Sequence, residues 1–331
     1  MSDPNVIEGL PGGLMEVSAA ADLIKKGEFV VVAGDAELLA KLPKGNWIGG
    51  TIPYFMGPRG GECSRKQVFV TRVGGPSEAP TIRTYDVTNL DRVCVDAPDN
   101  GYSLIILPAF SSVHAHYARN APGFEDMFVK PVIGWVSGVH LDQLAEAVPQ
   151  VFDGTKGVAE SDAAVVMHVP LPPTCYARVD IINGMQQGKG PAIRFPATGF
   201  SATTATIDGV EQNFAQYLVK NRIDTKLPLV ADYCGAMINV SIKGVDEKEG
   251  RVDFYAPVFV DSEYRVAEGQ IPALSVDDGK GTSFSCNCIL NYLYGDLEGK
   301  RTAAFTGPMT FGEIAYLLLN QTLVHMSIVR T

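Results

Sequence analysis

The strongest constraint on the fold is an uninterrupted apolar run that occurs twice, each time in the same setting. "EFVVVAGD" over 28–35 and "YSLIILPAF" over 102–110 lack polar alternation, so each reads as a strand buried on both faces. A helix-like stretch follows each one: "AELLAKL", stopped by Pro43, and "SSVHAHYARNAPGFEDMF", broken at Pro122. Each then leads to a glycine-bearing strand, "NWIGGTIPYF" in the first case and "KPVIGWVSGVHL" in the second. The shared order of strand, helix and strand suggests an internal duplication in the N-terminal lobe, with Gly49 and Gly134 as equivalents.

Further elements extend this pattern. Helical spacing is expected over 16–28, over "HLDQLAEAVPQVF" and over "DGVEQNFAQYLVKNRI". Two long strands joined by the polar turn "DEKEG" predict an antiparallel hairpin, and hence mixed sheets. A chain of 331 residues exceeds what one hydrophobic core usually holds. The expectation is a two-lobed α/β protein, mixed β-sheets flanked by helices, with lobes over 1–190 and 191–331.

Composition removes several classes of function. Hydrophobic residues make up 46% and charged residues 19%, a globular balance. The net charge of −10 and the lack of any long Lys/Arg run argue against a nucleic-acid partner. No apolar run approaches a membrane span, and the N-terminus has no basic region followed by an apolar one. Cys63, Cys94, Cys175, Cys234, Cys286 and Cys288 are expected to be free thiols of a cytoplasmic protein.

The polar motifs divide into those that fail and those that stay open. "GMQQGKGPA" has three residues between Gly184 and Gly188 where a phosphate loop needs four, so it reads as a solvent loop. His114 and His116 would converge on a strand but not on the helix expected there, which speaks against a metal pair. His140, His168 and His325 lie beside apolar strand residues and read as structural. In "SFSCNCILNYLYG", Cys286 and Cys288 would share one strand face and Asn287 the other. Their spacing lacks the second pair that a structural zinc site needs, and a nucleophilic role would require a base near in space. Glu313 and Asn320 sit among apolar residues in "FGEIAYLLLNQT". There Glu313 either caps a helix turn or points with Asn320 into a pocket.

Several of these residues resemble the FIST (F-box and intracellular signal transduction) domain. Phe284, Ser285 and Cys286, then Gly312 and Glu313, then Asn320 and Thr322 are similar to motifs of its C-terminal half. Ile48, Gly49 and Gly50, and again Ile133 and Gly134, are similar to its N-terminal half. The resemblance implies a FIST N-like lobe, a FIST C-like lobe and a sensory role in binding a small molecule. No output domain is attached, so signalling would run through a partner protein or homo-oligomer formation. The sequence requires no cofactor. The expected ligand-binding residues are Asn46, Trp47, Gly49, Gly50, Thr51, Gly134, Trp135, Cys286, Asn287, Cys288, Glu313 and Asn320, with the two tryptophans as apolar walls. The alternatives are a cysteine-dependent hydrolase or transferase, and a structural self-assembling protein.

Overall fold

The two buried apolar runs do form strands, and each lies parallel to the glycine-bearing strand that follows it. Val30–Gly34 pairs in parallel with Trp47–Thr51, and Gly101–Pro108 pairs in parallel with Val132–Ser137. The structure, a computed structural model, describes residues 5–7, 9, 12–233, 236–269 and 278–331. It contains a third such pair, Phe284–Cys288 with Gly307–Thr310. Every residue of the three leading strands is buried, as expected of parallel strands covered on both faces.

All three pairs are built into sheets by one rule. A return strand lies antiparallel against the leading strand: Val68–Arg72, Ala164–Pro170 and Leu323–Arg330 respectively. The open edge of the second strand is closed by an antiparallel arm from another repeat. Tyr54–Gly57 of repeat one pairs with Gly307–Thr310 of repeat three. Val151–Asp153 of repeat two pairs with Trp47–Thr51 of repeat one. Glu313–Ala315 of repeat three pairs with Val132–Ser137 of repeat two. The exchange is therefore cyclic, and no repeat completes its own sheet. Gly13–Met15 and Thr81–Tyr85 add further strands to the return strands of repeats one and two.

This architecture corrects the expected α/β fold with helix-flanked sheets. Strands hold 43% of the residues and helices 14%, in five mixed or antiparallel sheets. The helices are too short to cover sheet faces. Among the described residues the longest, Val17–Lys25 and Ser112–Asn120, have nine residues each. The predicted helix over "HLDQLAEAVPQVF" is a single 3-10 turn, Leu141–Gln143, before the arm Val151–Asp153. The amphipathic stretch from Asp208 starts as a hairpin, Thr204–Ile207 against Val210–Asn213. It turns helical only at Phe214, where the Asn213 side chain accepts the Gln216 amide. Glu313 lies on a strand, so it caps no helix.

The supposed match of Gly49 and Gly134 also needs correction. Aligning the last pair of each parallel ladder, Gly34 with Thr51, Pro108 with Ser137 and Cys288 with Thr310, places Gly49 level with Trp135. Gly134 is instead level with Gly307 of repeat three. Both meet the neighbouring strand too closely for a side chain: a Cβ on Gly134 would lie 1.8 Å from the Ile105 carbonyl oxygen, and one on Gly307 2.0 Å from that of Ser285.

The chain divides into two compact units. The first comprises Met1–Ile181, Ala273–Leu317 and Leu323–Thr331, and the second Ile182–Pro272 with Leu318–Thr322. The first holds the three repeats. In the second, Phe195 packs edge-on against Phe214, Phe254 and Tyr264 at 5.2, 5.6 and 5.6 Å. The "DEKEG" turn there joins Ile242–Asp246 to Arg251–Val258 as the expected hairpin. Cys234 lies outside the described residues. Among the described residues no helix is long and apolar enough to cross a membrane.

Three histidines are enclosed in the first unit. His168 lies between Tyr85, whose hydroxyl is 2.8 Å from Nε2, and Ser103, whose Oγ is 2.8 Å from Nδ1. Burial holds His114 and His168 down to about 4, and Arg83 adds to the effect on His168. Burial also lowers His325. An unfolded histidine titrates near 6.5, so between these values the unfolded chain binds more protons. Stability is therefore full above about pH 6.5 and falls as the pH drops toward 4. The expected slope is up to roughly 1.4 kcal/mol per pH unit for each histidine. Denaturant midpoints measured from pH 7 to 4 check this, and His168→Gln should flatten the slope. Gly134→Ala should lower stability by about 3 kcal/mol, because its Cβ meets backbone and not a movable side chain. Thermal unfolding reads that loss directly.

Candidate functional site

Comparing the repeats position by position shows where the third departs from a purely structural solution. Two residues before the last ladder pair, the leading strands carry Val32, Ile106 and Cys286, all buried. On the arms, Phe152 faces Gly49, Phe55 faces Pro308, and Glu313 faces Trp135. The fold thus fills one position with phenylalanine twice and with a fully buried glutamate once. Burying a carboxyl group costs several kcal/mol unless neighbours compensate, so the substitution is informative.

Around Glu313 the strands assemble a small polar cluster. Cys286 Sγ donates to the Gly134 carbonyl at 3.2 Å. Thr310 Oγ1 donates to the Gly312 carbonyl at 3.0 Å and lies 3.3 Å from the Asn287 carbonyl oxygen and 3.4 Å from Glu313 Oε1. Strand alternation puts Cys286 and Cys288 on one face, and both are free thiols. Burial, and then the neighbouring Glu313, push the Cys286 thiol well above its ordinary range. A thiol in that state is a poor nucleophile. Among the described residues no group of three or more His, Cys, Asp or Glu side chains is arranged to hold a metal ion.

The other residues expected at a site are distributed more widely. The Trp47 indole donates to the Pro43 carbonyl at 2.8 Å and stacks at 6.1 Å on Phe152 of the arm from repeat two, inside a buried core. Asn46 donates to the Gly27 carbonyl, bracing a turn. Thr51 Oγ1 accepts the Gln150 amide at 2.9 Å, which ties down the arm beside Gly49 and Gly50. Trp135 is brought near Gly50: a Cβ there would lie 3.3 Å from its ring and 3.2 Å from Ser137. The Trp135 indole nitrogen and the Ser137 hydroxyl are buried without hydrogen-bond partners. Asn320 belongs to the second unit, where its main-chain oxygen accepts the Asn239 side chain at 3.0 Å.

Ser285, Cys286 and Asn287 of the Phe284–Cys288 strand border a small cleft. Met56, Pro308, Phe305 and Leu323 supply apolar walls, and Ser285, Asn287 and Thr302 supply polar groups. Ser285 Oγ donates to the Thr306 carbonyl at 2.9 Å. Asn287 Oδ1 accepts the Asn291 side chain at 2.9 Å, anchoring the helix Ile289–Tyr294. The Thr302 hydroxyl is buried and has no hydrogen-bond partner. Sequence reasoning found Cys286 and Asn287 but not Thr302, Phe305 or Met56. Met56 comes from another repeat, and the segment around Thr302 has no periodic pattern to mark it.

The chemistry of the cluster makes a direct expectation for labelling. At neutral pH, iodoacetamide should modify exposed Cys63 in the native protein and leave Cys286 and Cys288 untouched until denaturant is added. Peptide mapping by mass spectrometry would show this, and native labelling of Cys286 would restore a nucleophilic role. No curated protein matches the chain. The matching family extends from the strand before repeat one to the last return strand, over residues 15–329: the chain belongs to DUF6976, described as a family of unknown function.

Proposed function

We propose that the chain is a small-molecule-binding protein of sensory type and that its ligand occupies the cleft of repeat three. The observation that carries the reading is the Thr302 hydroxyl, buried in an apolar-walled cleft with no partner. A buried polar group left unpaired costs about 1–3 kcal/mol, and a ligand atom that pairs with it recovers that cost. The enclosed part of the cleft has room for about one water-sized group. Its ligand is therefore a small metabolite that inserts one hydrogen-bonding group beside Thr302 and lies largely outside the enclosed space. The FIST resemblance supports the sensory part, with output through self-association or a signalling partner in the cytoplasm. The protonated state of Cys286 weighs against the hydrolase alternative.

A thermal-shift screen of small metabolites tests the proposal. A ligand held at 100 times its Kd adds about 2.7 kcal/mol and should raise the melting temperature by about 5 °C. Thr302→Val, nearly isosteric, should weaken that ligand about tenfold by calorimetry. Failure of the whole panel to stabilise the protein, or an unchanged affinity in Thr302→Val, would overturn the cleft as the site.

A further inference from the structure

A second cluster lies just past the carboxyl ends of the parallel strands, away from the cleft. Loops at such ends are where an α/β or mixed sheet gathers side chains from different segments. Tyr54 lies three residues beyond Thr51 and His140 three beyond Ser137. Tyr292 lies on the helix that follows Cys288. All three repeats thus contribute a ring. The Tyr54 and Tyr292 rings meet edge to face at 5.7 Å, and His140 stacks on Tyr54 at 5.5 Å. The Leu141 amide donates to the Tyr54 hydroxyl at 3.2 Å, which fixes the His140 loop to the arm of repeat one.

Two features of this cluster have no structural use. The Tyr292 side chain is 6% exposed, yet its hydroxyl has no hydrogen-bond partner. Nearby charge is also one-sided. Glu298 is bridged to the arm hairpin at Gly61, and Asp142 follows His140, with its Oδ2 3.7 Å from His140 Nδ1. Both carboxylates raise the Tyr54 phenol, and Glu298 also raises Tyr292, after the larger effect of burial. Arg65 is held by Asp35 at 2.6 Å, and Lys300 is held by Asp296 at 2.8 Å. Aromatic faces beside carboxylates that no lysine or arginine holds attract organic ammonium groups, through the ring quadrupole and direct charge attraction.

We infer that Tyr54, Tyr292 and His140, with Glu298 and Asp142, form a binding site for a small organic cation. The Tyr292 hydroxyl is the hydrogen-bonding point of that site. The inference is independent of the cleft in repeat three, since the two share no lining residue. Calorimetry on the full chain tests it with choline against its uncharged isostere 3,3-dimethyl-1-butanol. Choline should bind at least about tenfold more tightly than the isostere. Glu298 is exposed, so Glu298→Gln should fold normally, with an unchanged melting temperature, and weaken choline about threefold. Asp142→Asn, at an equally exposed position, provides a second charge-neutralising variant should the first unfold. Equal affinity for choline and the isostere, no binding of choline, or full affinity in both folded variants would each overturn the site.

Discussion

The exchange of arms between repeats is the constraint on which the three-repeat unit depends. A parallel pair of strands leaves one edge of unpaired amides and carbonyls on its second strand, and such groups must be paired wherever they are buried. Trp47–Thr51, Val132–Ser137 and Gly307–Thr310 are all fully buried, so water cannot serve. Each is completed by an arm from a different repeat, so the sheets form together. A defect in one arm exposes the edge of another repeat's sheet, which couples the stability of all three.

The same exchange explains how one repeat can depart from a purely apolar core. Glu313 sits on an arm, and its surroundings are assembled from two repeats: Trp135 and Gly134 from repeat two, Cys286 and Thr310 from repeat three. Repeats one and two carry Phe55 and Phe152 at that position and need no polar support. Apolar packing elsewhere supplies the stability that permits this local cost. Burying a single Val, Leu or Ile side chain contributes roughly 1.5–3 kcal/mol, and such residues fill three of five positions in the leading strand of repeat one and four of eight in that of repeat two.

Much of the parallel framework was legible in the sequence because Val30–Gly34 and Gly101–Pro108 are continuous apolar runs. The third copy was hidden because Phe284–Cys288 reads "FSCNC", where Ser285, Asn287 and the two thiols interrupt the hydrophobic signal. The helices were overestimated for a related reason. Short apolar stretches such as the one at Leu141–Val151 fit helical spacing over a turn or two, but pairing with a distant edge outweighs that local preference. Arm exchange is a long-range decision that no local window contains. It also explains why the predicted site residues were only partly gathered. Trp47 meets Phe152, and Trp135 meets Glu313, each across repeats, and Thr302 carries no pattern at all.

A threefold internal repeat separates structural from functional demands without any second sequence. Thr51, Ser137 and Thr310 end the second strands, so a buried hydroxyl there belongs to the architecture. Thr51 ties down the neighbouring arm and Thr310 its own hairpin, while the Ser137 hydroxyl is left unpaired. Cys286 and Glu313 occupy positions that Val32, Ile106, Phe55 and Phe152 fill, so the architecture does not require them. Tyr54, His140 and Tyr292 follow the strand ends of three different repeats, yet no repeat carries the same set. Residues that break the internal symmetry, and that lie beside an unpaired buried hydroxyl, are therefore the positions on which the proposed binding roles rest.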